Sequence, residues 1–466
     1  MKKARAIITL SICVLLCLPL SGCVTGGVQN DETEGDKTED SAIIGEDNKN
    51  STDEPAQEGN KSVMNVFAAD ATELRAPETG QHSAAARVVA GGANDFAFRL
   101  SAALAKDNGN DNFVCSPYSV WIPLAALINA TDEQNRSSLL DALSASGISA
   151  EDVNNAASRM LYDLTRQRER GDQFFHDPLR IANAIFVDIG VTLRREFAQT
   201  FLDFYRGAAI NVDFSSKEAV DAVNEWASEN TEGLITEIIQ EFDPTVVAAI
   251  ANAIYFSDRW EWEFDPQKSK EDVFHSPDED TSATFMLREG DAQIYYEDDR
   301  VQAMPLRFKT GGGLYIILPK DGDATGLLST FTSGFFHQIQ RDSISVSGKL
   351  LLPRFSIESP VLSLANTLTA MGIPLFDSIA APLTGGLIEE DIPVWLSSAM
   401  HKAVIEVDEK GTTAAAVTVI AVSGASPPEP TEPFEMICDR PFVFVLYSHT
   451  YDGGNQVLFT GIVNRS

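Results

Sequence analysis

Histidine and cysteine are scarce in this chain, with six and five copies in 466 residues. The histidines, His82, His176, His275, His337, His401 and His449, are scattered. None stands in a His-Glu-x-x-His motif or in a Cys/His zinc spacing, so the common zinc-hydrolase and zinc-finger patterns are absent and no metal is expected. There is no Gly-x-Ser-x-Gly nucleophile elbow and no phosphate loop ending in Gly-Lys. Gly311-Gly312-Gly313 reads as a bare hairpin turn, and Glu389-Glu390-Asp391 as a solvated acidic face rather than an acid–base pair. No catalytic residue and no cofactor is expected, and an exported hydrolase is a remote rival. Basic residues are also few: 35 Lys and Arg stand against 68 Asp and Glu, a net charge of −33. A phosphate backbone would repel such a surface, which excludes nucleic acid as a partner. It also excludes adhesion to anionic lipid through basic patches. The acidity serves solubility.

What is present begins at the N-terminus. Lys2, Lys3 and Arg5 precede an apolar run, Ile7 to Leu20, too short for a comfortable membrane span. The run ends in Leu20-Ser21-Gly22-Cys23, which resembles the lipobox of prokaryotic lipoproteins. The resemblance implies a signal peptide over residues 1–22, with Cys23 lipidated and anchoring the chain at a cell-surface or periplasmic membrane. Plain secretory cleavage nearby is the alternative, and both imply export. Cys13 and Cys17 then lie in the removed peptide, leaving Cys115 and Cys438, either paired in one disulfide or, as their apolar neighbours favour, two buried thiols. Residues 23–88 are polar and acidic, with clusters such as Asp31-Glu32-Thr33-Glu34. Such a stretch cannot bury enough surface to fold alone. It reads as a disordered tether spanning about 45 Å root-mean-square.

Residues 89–466 have globular composition. Asn94 to Leu100 opens an amphipathic helix with Phe96, Leu100 and Leu104 at helical spacing. Phe113-Val114-Cys115 reads as a short buried strand, and Ser116-Pro117-Tyr118-Ser119 as a turn into an apolar helix through Leu127. A further helix covers Ala219 to Trp226. Strands are expected at Ile181–Val187, Val246–Phe256, Leu314–Leu318, Lys349–Leu352 and Phe442–Tyr447. Helices dominate the first third and strands the rest, which predicts an α+β domain with mostly antiparallel sheets.

One segment conflicts with its surroundings. Gly411-Thr412-Thr413-Ala414-Ala415-Ala416-Val417-Thr418 continues into Val419–Val422 with strand-forming residues and no charge. It then stops in Ser423-Gly424-Ala425-Ser426-Pro427-Pro428, an exposed loop. Strand sequence inside a loop marks either an ordinary strand and turn or a segment able to leave the loop and join a sheet.

Several segments together resemble the serpin family over roughly residues 90–466. They are Asn112–Val120, Asn224-Glu225-Trp226 with Thr231–Ile235, Ala251–Trp260, Leu352-Pro353-Arg354-Phe355, His401–Thr412, Arg440–Phe444 and Leu458–Gly461. The resemblance implies a fold of three mostly antiparallel sheets, about eight to nine helices and an exposed reactive-centre loop. It implies a suicide inhibitor, in all expectation a monomer, whose cleaved loop inserts into the central sheet and drags a serine protease with it as a covalent acyl-enzyme. The hinge would be Glu409, Gly411, Thr412, Ala414, Ala415 and Ala416. A polar cluster where the sheet parts would comprise Ser116, Ser119, Asn252 and His401. Trp260, Arg354 and Glu409 would stand where insertion begins, with Arg354 replacing the family's usual lysine. In an inserted strand Thr412, Ala414, Ala416, Thr418, Ile420 and Val422 would face the core, all of them small or apolar. Family spacing puts the reactive bond at Ala425–Ser426, which implies an elastase-like or subtilisin-like target. The stretch from Ser426 to Cys438 is about five residues longer than the resemblance implies, so Val422 or Ser423 are alternatives. A non-inhibitory interaction or storage module on the same fold is the rival expectation.

Overall fold

The computed structural model describes residues 8–19, 64–67, 84–165, 179–243, 245–409, 432–450 and 454–466. Its strands are β1 (Ile8–Pro19), β2 (Met64–Phe67), β3 (Phe113–Cys115), β4 (Leu179–Asp188), β5 (Gly207–Val212), β6 (Val246–Asp258), β7 (Lys270–His275), β8 (Asp280–Glu297) and β9 (Val301–Arg307). They continue with β10 (Gly313–Pro319), β11 (Ile344–Pro353), β12 (Phe355–Glu358), β13 (Leu362–Ser363), β14 (Ser398–Val407), β15 (Phe434–Ile437), β16 (Phe442–His449) and β17 (Asn455–Val463). Nine α-helices are found among the described residues: α1 (Ala84–Asp107), α2 (Pro117–Leu127), α3 (Glu133–Ala142), α4 (Ala150–Thr165), α5 (Arg195–Tyr205), α6 (Lys217–Asn230), α7 (Ala324–Ser329), α8 (Ser333–Asp342) and α9 (Ala365–Ala370).

The large sheet runs β12-β14-β1-β6-β4-β5-β2, with β13 also paired to β14. The other two sheets share β8, whose 18 residues are long enough to serve both. Its last residues join β9 and so the sheet β9-β10-β16-β17-β3, while its earlier part pairs with β7 and β11. Among the described strands only β4–β5 and β11–β15 run parallel. The chain thus has the α+β fold with mostly antiparallel sheets that its sequence pattern predicts, and the three sheets and, among the described residues, nine helices that the family resemblance implies.

The large sheet is covered on both faces, and its sequence shows why. Ile185, Val187, Ile250 and Ile254 join the core formed with α2, α4 and α5. Ala184, Phe186, Ala249 and Ala251 alternate with them and meet Val223 and Ala227 of α6 on the opposite side. A strand buried on both faces reads as a continuous apolar run rather than an alternation, as Val246–Phe256 does. All eleven residues of α2 are buried too. Its start is set by Ser116, which accepts the Ser119 amide, and by Pro117 in the first turn. Aromatic residues of α1 and α8, Phe98 and Phe336, close the other face of the β10–β16 pair against Tyr315 and Tyr447. No helix among the described residues is long and apolar enough to cross a membrane.

The structure departs from the sequence pattern at the N-terminal side. Helix α1 begins at Ala84, ten residues before the expected start at Asn94, because an alanine-rich turn extends it. Within the expected tether, Met64–Phe67 lies antiparallel along β5 at the edge of the large sheet. The apolar Ile8–Pro19 segment is a strand between β14 and β6. Cys115 and Cys438 are free and buried, and burial pushes the Cys115 thiol up to about 11.

Gly92 in the middle of α1 allows the helix to touch the Leu143–Ser144 backbone: a Cβ there would lie 2.3 Å from the Ser144 carbonyl oxygen. Gly92→Ala should therefore destabilise the protein by about 1–3 kcal/mol, despite alanine's better helix propensity. A thermal melt should show a lower midpoint; a higher one would contradict this close approach.

Candidate functional site

The site is an opening in the large sheet. Strands β6 and β14 do not pair with one another among the described residues; each pairs with β1 lying between them. Ser398–Ile405 of β14 form one wall, and Val246–Asp258 of β6 the other. The domain from α1 onward supplies both walls, whereas the strand between them comes from the far N-terminus. On its outer side β14 is held firmly. Phe355–Glu358 pairs with it, and the buried Ser359 exchanges two bonds with Ala403, accepting the Ala403 amide at 2.9 Å and donating its own amide at 2.8 Å.

At mid-height a polar cluster crosses beneath the opening. Asn252 on β6 and His401 on β14 lie opposite the same residue of the strand between them. The first turn of α2 reaches both. The Ser116 amide donates to His401 Nε2 at 3.2 Å, and the Ser119 hydroxyl donates to Asn252 Oδ1. Asn252 Nδ2 donates onward to Asn183 Oδ1 at 2.8 Å, and Asn183 Nδ2 to the Tyr205 carbonyl at 2.7 Å. One helix terminus therefore ties the two walls together, with β4 and the end of α5 behind them.

His401 is fully buried, and loss of solvation pushes its imidazole down to about 3. It is neutral at physiological pH. Because Nε2 accepts a hydrogen bond, the proton is assigned to Nδ1, which has no partner among the described residues. Leaving one such donor unsatisfied costs about 1–3 kcal/mol.

At the upper end of β14 the contacts change character. Arg354 grips Glu409 with two parallel bonds, Nε to Oε2 at 2.7 Å and Nη2 to Oε1 at 2.5 Å. Ser269 adds a third bond to Oε1 at 2.5 Å, and the Phe264 amide donates to the Glu409 carbonyl at 3.0 Å. Glu409 is only 3% exposed, while the Arg354 side chain is 46% exposed. Burial alone would raise the Glu409 carboxyl, but the bonds from Arg354 and Ser269 outweigh it and hold it below the ordinary carboxylate value. Beside this pair Trp260 donates from its indole nitrogen to the Asp408 carbonyl at 3.0 Å and stacks on Phe308 at 5.0 Å.

The structure brings Ser116, Ser119, Asn252 and His401 into one cluster, and Trp260, Arg354 and Glu409 into another. Cys23, Gly411, Thr412, Ala414, Ala415, Ala416, Ala425 and Ser426 lie outside the described residues. The ends of that loop are fixed by Glu409 on one side and by β15, parallel to β11, on the other. Sequence reasoning missed Asn183, Ser269, Phe264 and Phe308. Asn183 carried a signal, a polar residue inside an otherwise apolar strand; Ser269 carried none.

With this geometry in hand, resemblances become informative. A family profile described as serpin (serine protease inhibitor) matches residues 91–466. An uncharacterized serpin-like protein of Thermococcus kodakarensis is 30% identical over 377 residues, 79% of this chain and 83% of that protein. An alpha-1-antitrypsin-like protein of Tamias sibiricus is 27% identical over 388 residues, 82% of this chain and 91% of that one. Among solved structures, the native state of the thermophilic serpin tengpin matches with a TM-score of 0.69 at 23% identity, covering 87% of this chain and all of that chain (100%). Human kallistatin matches with a TM-score of 0.68 at 22% identity, covering 82% and 99%. The chain belongs to the serpin family, whose members are in general protease inhibitors rather than enzymes.

Two outcomes follow from these contacts. Removing the fork by Arg354→Ala should cost about 2 kcal/mol, and Arg354→Lys less, since one ammonium restores the charge but not both bonds; denaturant titration measures both. His401 binds a proton in the unfolded chain near pH 6.5 but in the native protein only near pH 3. Its contribution is therefore complete above about pH 6.5 and is lost as pH falls toward 3. His401→Gln should flatten the decline of melting temperature across that window, and an unchanged slope would contradict a buried neutral imidazole.

Proposed function

We propose that this chain is an inhibitory serpin, exported and tethered to a membrane through a lipid on Cys23, that traps serine proteases of the elastase-like or subtilisin-like kind. Residues 1–22 are the removed signal peptide, 23–88 the tether and 89–466 the inhibitory domain. The observation that carries this reading is the strand position between β6 and β14, whose walls the domain supplies without supplying the strand itself. With residues 1–22 removed, the next candidate to fill it is the uncharged Gly411–Val422 segment, which follows β14 just beyond Glu409 in the chain and would run back antiparallel to it.

The energetics support a one-way reaction. A strand in this position pairs on both sides over most of its length. At about 1 kcal/mol net per hydrogen bond, a dozen bonds contribute on the order of 10 kcal/mol, comparable to the stability of a whole domain. In the proposed sequence, the protease serine attacks at Ala425–Ser426 and the peptide bond breaks, leaving an acyl-enzyme on Ala425 and a free amine on Ser426. The loop then inserts, starting past Trp260 and the Arg354–Glu409 fork. Ser116, Ser119, Asn252 and His401 hold the walls together until they part and then rejoin around the new strand. The acylated protease is carried across the sheet and distorted before water can release it.

Incubation of the processed chain, lacking residues 1–22, with elastase or subtilisin should give a band on a denaturing gel at the mass of the protease plus the inhibitor fragment ending at Ala425, the piece from Ser426 onward being released. Thr412→Arg should abolish that band while loop cleavage continues, because a charge facing the core blocks insertion. Unchanged complex formation by this variant would rule out strand insertion, and cleavage without any complex in the chain already lacking residues 1–22 would favour a non-inhibitory module.

A further inference from the structure

The strand that fills the opening in this structure is Ile8–Pro19, and its fit is extended. It is antiparallel to both walls. It pairs with β14 from Leu10 opposite Ile405 to Cys17 opposite Ser398. Along β6 it runs from Ile8 opposite Asp258 to Pro19 opposite Val246, with one irregularity, between Leu18 and Pro19. Ile8–Pro19 carries no charged residue, and neither does Gly411–Ser426. Two strand edges facing an unfilled position expose rows of unpaired amide and carbonyl groups, which favour any uncharged extended segment within reach.

We infer that the insertion position is a binding site for the chain's own leader, so that the unprocessed protein is occupied and inactive, and removal of residues 1–22 arms it. This rests on the proposed insertion mechanism and adds its regulation. While the leader lies between β6 and β14 the reactive segment has no place to enter. A protease that cuts the loop is then released as from any substrate. The leader has a second role besides export: it satisfies the open edges of the sheet until the chain is processed. Its grip is the backbone ladder, shared with whatever strand replaces it, so its loss exposes the same edges to the loop.

The test compares the unprocessed full-length chain carrying Cys23→Ala, which prevents lipidation, with the same chain carrying Val14→Asp. Val14 lies opposite both Asn252 and His401, two fully buried residues, and a carboxylate introduced at that register position carries a charge in among them at a cost, so the leader should be expelled. Amide exchange is followed by mass spectrometry on peptides covering Ala249–Phe256 and Ala399–Ile405. Exchange there should be about a hundredfold faster in the Val14→Asp chain, and a synthetic Ile8–Pro19 peptide should restore the slower rate. Subtilisin should form a gel-stable complex with the Val14→Asp chain and only cleave the parent. Equal exchange in the two chains, or a complex formed equally well by both, overturns leader occupancy. Faster exchange with no complex in either chain upholds the leader site and refutes the insertion mechanism instead, so the two failures are distinguishable.

Discussion

The rest of the molecule depends on two strands that lie one strand-width apart without bonding to each other. Backbone groups buried away from water must be paired, and β6 is buried along nearly its whole length. A large sheet with a position between two such strands therefore has a strong appetite for one more. Everything around that position manages this appetite. The β12 and Ser359 contacts fix the outer edge of β14, the first turn of α2 bonds to both walls from below, and the Arg354–Glu409 fork closes the upper end where the loop departs.

The two polar clusters restrain the sheet by different physics. The mid-sheet cluster is neutral and fully buried, so its bonds are short-ranged and directional, and a small separation of the walls breaks several together. His401 Nδ1, which has no partner among the described residues, leaves the arrangement imperfect, and an imperfect arrangement is easier to leave. The upper cluster is charged and half open to water. Arg354 remains solvated whether or not it holds Glu409, which lowers the barrier to release. On the proposed insertion mechanism, a rigid lock beneath and a looser clasp above give the sheet a direction of opening, from the loop end downward.

How much of this was legible in the sequence follows the range of the interactions. Strand β6 was readable because burial on both faces leaves an apolar run from Val246 to Phe256 interrupted only by Asn252, and α2 because Ser116-Pro117 marks its start and every later residue is apolar or small. The extra turns of α1 were not readable, since Gly91-Gly92 interrupts the helical pattern ahead of Asn94. Arg354 and Glu409 are far apart in sequence, so no spacing rule joins them; only the family resemblance did. Ser269 and Phe308 were invisible for the same reason, without the resemblance to help. Sharing of β8 between two sheets lay beyond reach too, because an 18-residue strand has one local pattern whichever neighbours it serves. The short apolar piece Met64–Phe67 was hidden by the acidic stretch around it.

The C-terminal segment holds a consequence of its own. Strands β15, β16 and β17 follow the loop, and β16 and β17 are almost wholly buried in the core of the second sheet. Cys438, on the same side, is a free thiol with no bond to Cys115. A chain nicked between β14 and β15 therefore stays whole as a two-piece molecule, its shorter piece retained by packing and sheet hydrogen bonds alone. In native solution the nick adds only one water to the mass of the two-piece molecule, and the pieces come apart only when the fold itself is dissolved, with no reducing agent required.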